Sequence, residues 1–399
     1  MSWGESWLIA LAALPALAWL YLLLAHGRFW LADQRLPQAG PRLANPPSVV
    51  ALVPARNEAA VVGEAIASLL SQDYHGRVDV VLIDDGSTDG TADRARQAAA
   101  ASAQADRLTV LSAPPREPGW VGKLWAVESG RRAWATSHAP PAYWWLTDAD
   151  IGHAPEMLGR LVNKAEEERR ALVSLMVLLW CRSLWERLLI PPFVFFFQKL
   201  YPFPRVNDDR SRLAAAAGGC MLVRADTLAH AGGLARIKDA LIDDCALAAA
   251  IKPAARQESR GLWVGVTRKS RSLRPYRGLG EVWLMVARSA FTQLRHSSLL
   301  LLGTLLGMAL LYLVPPVVVV LSPWHGDLVA ALVALAAWLM MAVAIGPTER
   351  LYGQSWLWGL TLPLAGLLYS LMTFDSARRH WLGRGGTWKG RVGAGKLAP

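Results

Sequence analysis

Two carboxylates one residue apart can approach a hard divalent cation, and Trp145-Leu146-Thr147-Asp148-Ala149-Asp150 supplies such a pair. Mg²⁺ is typically held by one or two carboxylates together with phosphate oxygens of a substrate. Taken alone, the pair reads equally as two solvated loop acids. A second pair, Asp243 and Asp244, opens the Ala-rich stretch Ala240-Leu241-Ile242-Asp243-Asp244-Cys245-Ala246-Leu247. The helix dipole favours acids in a first turn, which accounts for both without any function. One of a close acid pair can also serve as a general base, provided that it faces the reacting hydroxyl. Lys123, in Gly122-Lys123-Leu124-Trp125-Ala126, starts a helix and can pair with a phosphate, with an acid of the site, or with solvent alone.

Two further motifs lie earlier in the chain. Val53-Pro54-Ala55-Arg56-Asn57-Glu58 closes one β-rich run, and Val81-Leu82-Ile83-Asp84-Asp85-Gly86-Ser87-Thr88-Asp89 closes the next. Open α/β sheets bind ligands at the carboxyl ends of their strands. An acid there can accept hydrogen bonds from a ribose or a base, while Gly86 and Ser87 shape the turn. Asp-Gly-Ser is also ordinary turn chemistry. The two motifs on consecutive strands favour a nucleotide.

These residues need a sheet to hold them. Val49–Val53, Val78–Ile83, Leu108–Leu111 and Tyr143–Leu146 read as strands, alternating with helical stretches Glu58–Ser71, Gly90–Ala105, Leu124–Thr136 and Pro155–Arg169. Such alternation predicts βαβ crossovers and a largely parallel sheet. The expected α/β domain runs over residues 28–297. Within 171–203, the uncharged runs Ala171–Cys181 and Leu188–Phe197 are too short to cross a bilayer. They read either as a buried strand followed by a helix, or as a helix in the membrane interface with Phe193, Phe195, Phe196 and Phe197 toward lipid. Pro191-Pro192 argues against one long helix.

The chain of 399 residues is 53% hydrophobic and only 18% charged, against roughly 25% charged in soluble proteins. The apolar excess sits at the ends. Trp7–Ala25 carries no charge and no basic residue precedes it, so residues 1–27 are expected to form an uncleaved anchor rather than a signal peptide. Leu299–Leu321, Leu328–Ile345 and Trp356–Phe374 are further candidate spans in a region of 298–375, separated by joints at Ser322-Pro323 and Gly346-Pro347. A basic tail, 376–399, follows. Three cysteines, Cys181, Cys220 and Cys245, exclude a disulfide framework.

Lys and Arg prefer the cytoplasm. Arg28 and Arg35 follow the first span, and seven basic residues fill 268–295 before the second, so the middle domain is expected in the cytoplasm of a multi-pass inner-membrane protein. The tail residues Arg378, Arg379, Arg384, Lys389, Arg391 and Lys396 ask for the same side, yet three full C-terminal spans would put them on the other. Either one segment turns back or lies flat, with Leu299–Leu321 and Leu328–Ile345 as candidates, or the rule fails here; a cytoplasmic tail is the expectation. The net charge of +11, flanking membrane segments, points to headgroups and diphosphate and away from nucleic acid.

The ordered set Pro-x-x-Asn-Glu, Asp-Asp-Gly-Ser, Asp-x-Asp and acid-Asp-x-x-Leu resembles family 2 glycosyltransferases of the GT-A fold, over about residues 48–297. The nearest likeness is to hopene-associated glycosyltransferases of the HpnB type, on Gly218-Gly219-Cys220-Met221-Leu222, Ile242 to Ala248, Phe193 to Leu200, and Trp388-Lys389-Gly390-Arg391. The chain is also similar to ceramide-glucosyltransferase-like enzymes. The resemblance implies a Rossmann-like nucleotide-diphospho-sugar transferase domain with one N-terminal and two to three C-terminal membrane helices.

It further implies that Asp85 contacts the nucleoside, with Asn57 and Glu58 shaping the pocket. Asp150, assisted by Asp148, would hold Mg²⁺ or Mn²⁺ on the diphosphate of a nucleotide sugar, most commonly a UDP-sugar in the family. Asp244 would be the base, with Asp243 in place of the usual Glu. Pro54, Arg56, Asp84 and Lys123 complete the expected donor site, and Gly219 and Cys220 lie toward diphosphate or acceptor. The family's Gln-x-x-Arg-Trp motif is reduced here to Gln293-Leu294-Arg295, one residue short and without the Trp. That weakens a polysaccharide synthase reading and leaves Arg288, Gln293 and Arg295 either near the diphosphate or acceptor or at the membrane surface. The implied reaction is inverting transfer of one sugar to a lipid hydroxyl, a hopanoid by family likeness. Transfer to a polyprenyl phosphate or polysaccharide, and a non-catalytic nucleotide-binding membrane scaffold, are the other readings.

Overall fold

Every residue of Val49–Ala55 is buried, and this strand, β1, lies inside an eight-stranded sheet. The other strands are β2 (Val78–Asp84), β3 (Leu108–Ser112), β4 (Tyr143–Thr147), β5 (Ile151–His153), β6 (Arg170–Leu178), β7 (Cys220–Arg224) and β8 (Gly261–Ser272). Their order is β3-β2-β1-β4-β7-β6-β8-β5. The first four are mutually parallel, as the alternation of strands and helices predicts. β7 runs antiparallel to both β4 and β6, and β5 is antiparallel to β8, so the sheet is mixed. The computed structural model describes residues 3–38, 43–383, 387–388 and 391–392. Arg384, Lys389, Gly390 and Lys396 lie outside the described residues. The chain divides into two units, one holding residues 33–180 and 205–275 with the sheet, the other 1–32, 181–204 and 276–386. Three pieces of the expected 28–297 domain, 28–32, 181–204 and 276–297, thus group with the apolar helices.

Alternate residues of β1 feed two cores. Val49, Ala51 and Val53 pack with the helices Val62–Leu70 and Met157–Glu167, while Val50 and Leu52 face Gly122–Ser137 and Asp243–Gln257. The four expected strands are β1 to β4. The first expected helix starts later, at Val62 rather than Glu58, because residues 57–59 are held by the loop after β2. Of the two readings of 171–203, the strand reading holds for its first half, which is β6. The second half is a single helix, Leu184–Leu200, running through Pro191 and Pro192. Pro191 has no N–H for the carbonyl of Arg187, and Gln354 Nε2 takes that carbonyl instead at 3.3 Å. A capping box of Ser183 and Glu186 starts this helix.

Four segments are long and apolar enough to cross a membrane: Trp7–Leu24, Ser298–Val320, Leu328–Leu351 and Trp356–Trp381. Their surfaces expose large apolar side chains, among them Leu17, Leu24, Leu299 and Leu306. Gly346-Pro347 is not a joint, since the helix continues through it to Leu351. Leu299–Leu321 passes its Pro315-Pro316 step through a π-helical turn, Ala309–Leu313. Both segments therefore run the length of the bundle, and the one that turns back is the last. From Gln354, Trp356–Thr361 descends until Leu360 O meets Trp338 Nε1 at 3.0 Å. The helix Leu362–Trp381 then climbs, passing Tyr312 at Gly366. It ends where Phe291 N donates to Ser376 Oγ at 3.0 Å and His296 stacks on His380 at 4.1 Å. Tyr312 lies fourteen residues beyond Ser298, so the excursion reaches about 20 Å into the bundle and comes out where it entered.

Candidate active site

The carboxyl ends of β1, β2 and β4 bring the sequence motifs to one edge of the sheet. Asn57 takes a left-handed backbone (φ 52°), and its Oδ1 accepts from Thr88 N at 2.9 Å. Asn57 N donates to Ser87 Oγ at 3.0 Å, Glu58 N to Thr91 Oγ1 at 2.8 Å, and Ala59 N to Asp89 Oδ2 at 3.0 Å. Asp84 Oδ1 accepts from Ser87 N at 2.9 Å. The two loops are thus zipped together through Asn57 and the backbone N–H groups of residues 57–59, while Asp84 braces its own loop through Ser87. Arg56 donates to the carbonyl of Asp85 and reaches its Oδ2 at 3.8 Å, and Asp85 itself is buried. A carboxylate set into the floor of the strand ends, with a guanidinium against it, is the geometry expected of a nucleoside contact.

Lys123 is the centre of the charged cluster. In the first turn of its helix, Nζ lies 2.8 Å from Asp148 Oδ1 and 3.3 Å from Asp243 Oδ2. Burial alone lowers an ammonium pKa, but the carboxylates of Asp148, Asp243 and Asp244 outweigh it and hold Lys123 well above its usual range. Asp244 accepts from Gly218 N at 2.9 Å through Oδ2 and from Cys245 N at 2.7 Å through Oδ1. Its burial, reinforced by the neighbouring Asp243 carboxylate, pushes it up to about 6. A carboxylate with four lone-pair sites, two of them used, still accepts a proton near neutral pH. Pro54, Thr147, Asp148, Gly218 and Asp243 line one pocket beside Lys123. A Cβ on Gly218 would stand 3.4 Å from Asp244 Oδ2 and 3.5 Å from Lys123 Nζ, so this wall is close-fitting.

Sequence reasoning missed the support beneath Asp148. Thr147 Oγ1 donates to Gly219 O at 2.9 Å and so must accept from His153 Nε2, also at 2.9 Å. His153 Nδ1 then accepts from Ser270 Oγ at 2.8 Å, an assignment of the tautomer from its partners. Burial lowers His153 to about 3, so the ring is neutral. The signal was there: Ile151-Gly152-His153 follows Asp150 directly, and its strand β5 pairs with β8 across His153 and Ser270.

Asp148 and Asp150 flank the buried Ala149 at the end of β4. Among the described residues no three His, Cys, Asp or Glu side chains gather to hold a metal. Two hard oxygen donors suit Mg²⁺ or Mn²⁺ shared with a diphosphate, so the residues fit a cation that arrives with its substrate. The Cys220 thiol, expected toward diphosphate or acceptor, is turned into the core instead. It is fully buried, accepts from Trp145 Nε1 at 3.4 Å, and is pushed up to about 12 by burial. Gly219 contributes its carbonyl to Thr147. Arg288, Gln293 and Arg295 belong to the helical unit, where Gln293 Nε2 donates to Tyr201 Oη at 2.6 Å.

Residues 50–231 match the family described as Glycosyl transferase family 2. An N-acetylglucosaminyltransferase of Rhizobium leguminosarum bv. viciae is 33% identical over 122 residues, 30% of this chain and 26% of that protein. The chain thus spans about a quarter of the length of that curated relative. Among solved structures, the mannosyltransferase PcManGT from Pyrobaculum calidifontis, in complex with GDP-Man and Mn²⁺, superposes with a TM-score of 0.52 at 20% identity. That likeness covers 94% of this chain and 99% of the other, and at this identity it speaks for the fold.

Proposed function

We propose, from the match of residues 50–231 to Glycosyl transferase family 2 and from the fold, that the chain is a membrane-bound inverting glycosyltransferase. It moves one sugar from a nucleotide-diphosphate sugar to a hydroxyl of a membrane lipid. The observation that carries this reading is the Lys123 cluster, which joins the acid after β4 to the acid pair at the start of Asp243–Gln257. One site thereby holds a cation for phosphate and a base for a hydroxyl.

Asp85 and Arg56 receive the nucleoside, and Lys123 meets the diphosphate as it enters beside Asp148. Asp148 and Asp150 would hold a divalent cation, which would supply neutralisation of the charge on the diphosphate. Asp244 takes the proton from the acceptor hydroxyl as its oxygen attacks the anomeric carbon opposite the leaving group, inverting that centre. Asp243 anchors Lys123 and raises the basicity of Asp244. The four apolar segments support a membrane acceptor, because a lipid held in the bilayer meets a soluble donor at lower entropic cost. The doubled-back last segment puts Arg378 and Arg379 at the bundle end that also carries Arg295. Their charge favours the cytoplasmic face of the cell membrane for that end of the bundle. A hopanoid as acceptor, and uridine as nucleoside, rest on family likeness alone.

The test is transfer by the purified full-length protein in nanodiscs, with a panel of UDP- and GDP-sugars, Mn²⁺ or Mg²⁺, and a bacterial lipid extract. A glycolipid detected by mass spectrometry, with the anomeric configuration opposite to the donor's, is the expected result. No donor turnover with any sugar would remove the enzyme reading, and retention of configuration would remove the base assigned to Asp244.

A further inference from the structure

Residues 207–219, between the short helix Phe203–Val206 and β7, form neither helix nor strand, yet Ala215, Ala216 and Ala217 are buried. Buried backbone outside regular structure has to find hydrogen bonds among side chains. The helix Asp243–Gln257 supplies a row of them. Arg256 donates to Asp209 O at 2.8 Å and to Ser211 O at 2.7 Å. Lys252 Nζ donates to Leu213 O and, at 2.9 Å, to Val206 O. Cys245 Sγ reaches Ala216 O at 3.7 Å, and Asp244 Oδ2 accepts from Gly218 N at 2.9 Å.

The helix and the segment run in opposite directions in a fixed register. Positions 245, 252 and 256 are seven and four apart, which sets them on one face of a helix. From 245 to 256 the helix rises about 16 Å. Five residues of extended chain, from 211 to 216, cover about the same length. On the sheet side, Ser174 Oγ accepts from Ala217 N at 2.8 Å and donates to Ala217 O at 3.1 Å. Ala217 is therefore a pivot on β6, and the approach of the segment to the helix depends on the pins along its length.

Lys252 is the inner pin, only 4% exposed. Burial lowers its ammonium to about 8, with Arg170, Arg256, Asp208 and Asp209 as the charged groups around it. It is thus protonated at pH 7, with three donors and no acceptor, which suits a bridge between two carbonyls. We propose that Lys252 is a positioning residue for the transfer, holding residues 207–218 along the helix Asp243–Gln257 and so keeping Gly218 N on the carboxylate of Asp244. The role rests on the reading of Asp244 as the base. An N–H donated to a carboxylate favours its ionised form, so a segment that swings away leaves Asp244 harder to ionise. Asp243 and Lys123, the charged groups facing Asp244, stay where they are.

The test measures kcat between pH 5 and 8 for full-length Lys252→Met in the nanodisc assay described above. The acid limb should move up by roughly one unit, the effect of losing one hydrogen bond to a charged group. At pH 6 kcat then falls about fivefold, and by pH 8 it returns close to wild type. A lysine that only stabilises the fold would lower kcat by one factor at every pH. Hydrogen exchange read by mass spectrometry should rise in peptides covering 212–220. Arg256→Met removes the outer pin alone and should leave the limb in place. Lys252→Gln, one bond shorter and with two N–H donors, replaces the methionine variant if that does not fold, and should move the limb the same way by less. An unmoved limb or unchanged exchange in the folded Lys252 variant overturns the role, as does an equal shift in Arg256→Met. Wild type without turnover removes the transfer and the role with it, whereas wild-type turnover with an unmoved limb removes the role alone.

Discussion

Lys123 Nζ and Asp148 Oδ1 lie 2.8 Å apart, so the first acid of the Asp-x-Asp pair already holds a cation supplied by the chain itself. The same ammonium reaches Asp243 and lowers the proton affinity of Asp244. A lysine in that position ties the proposed phosphate end of the site to the proposed base end. Replacing it should disturb both.

Lys123→Met removes the counter-charge from three carboxylates. The expected loss is about 100-fold in kcat/KM, the scale of one preorganised charge contact. The acid limb of the pH profile should also move up by roughly one unit, because Lys123 favours the ionised form of Asp244. A purely structural lysine would lower the amount of folded protein and leave the limb in place. Steady-state kinetics between pH 5 and 8 distinguish the two.

Asp244 sets the wild-type limb. Its pKa is raised to about 6 and the base must be ionised, so activity should fall as pH drops below about 6. Asp244→Asn should cost between about 10² and 10⁴ in kcat with the donor KM little changed. Asp243→Asn should act differently, because Asp243 raises Asp244 by charge. Its loss should move the limb down while weakening the hold on Lys123. If Asp243→Asn abolishes turnover and Asp244→Asn does not, the roles are reversed.

His153 gives a stability prediction with a definite sign. Its folded pKa is about 3, depressed from the ordinary 6.5, so the unfolded chain binds the extra proton between those values. Stability is then full above pH 6.5 and is lost as pH falls toward 3. From pH 7 to pH 5 the loss is about 2 kcal/mol from this residue. His153→Phe should be less stable at pH 7, since Thr147 and Ser270 lose their partner, and its unfolding should be flatter with pH over this window. Thermal unfolding followed by tryptophan fluorescence at pH 5, 6 and 7 reads both effects. An unchanged pH slope in His153→Phe would show that some other group carries the dependence.

The clustering of the candidate site was legible because its residues lie at strand ends and helix starts, where sequence spacing and three-dimensional position coincide. Asp85, Lys123, Asp148, Asp243 and Asp244 all come from such positions. Several roles were not legible, because they depend on contacts between distant segments. Asn57 and Asp84 look like ligands in the sequence and turn out to fasten the loops, through Thr88 and Ser87. Cys220 sits in a glycine-flanked motif, yet β7 turns its thiol into the core beneath Trp145. His153 and Ser270 are 117 positions apart and meet only because β5 pairs with β8. Pro191-Pro192 misled for the same reason. The carbonyl freed by Pro191 finds its donor in Gln354, which no local pattern announces.

The path of the last apolar segment offers one resolution of the charge conflict, and it can be tested by labelling. Length and composition would let Trp356–Trp381 cross a bilayer, but Gly359 and Gly366 bring it against Ala342 and Tyr312 and turn it back. A Cβ at Gly359 would meet Ala342 O at 2.7 Å, so the close approach depends on that glycine. In a chain whose three cysteines are replaced by alanine or serine, Gly326→Cys lies in the connection between the two full spans, and Leu382→Cys lies just past the returning helix. An impermeant maleimide added to intact spheroplasts should label the first and not the second. After lysis it should label both. Labelling of Leu382→Cys from outside would mean that the segment crosses, and would place the basic residues Arg378 and Arg379 on the far side from the donor site. Gly359→Val provides the complementary case. It should dislodge the returning segment, lower the melting temperature, and make the label at position 382 less one-sided, with the catalytic carboxylates themselves untouched.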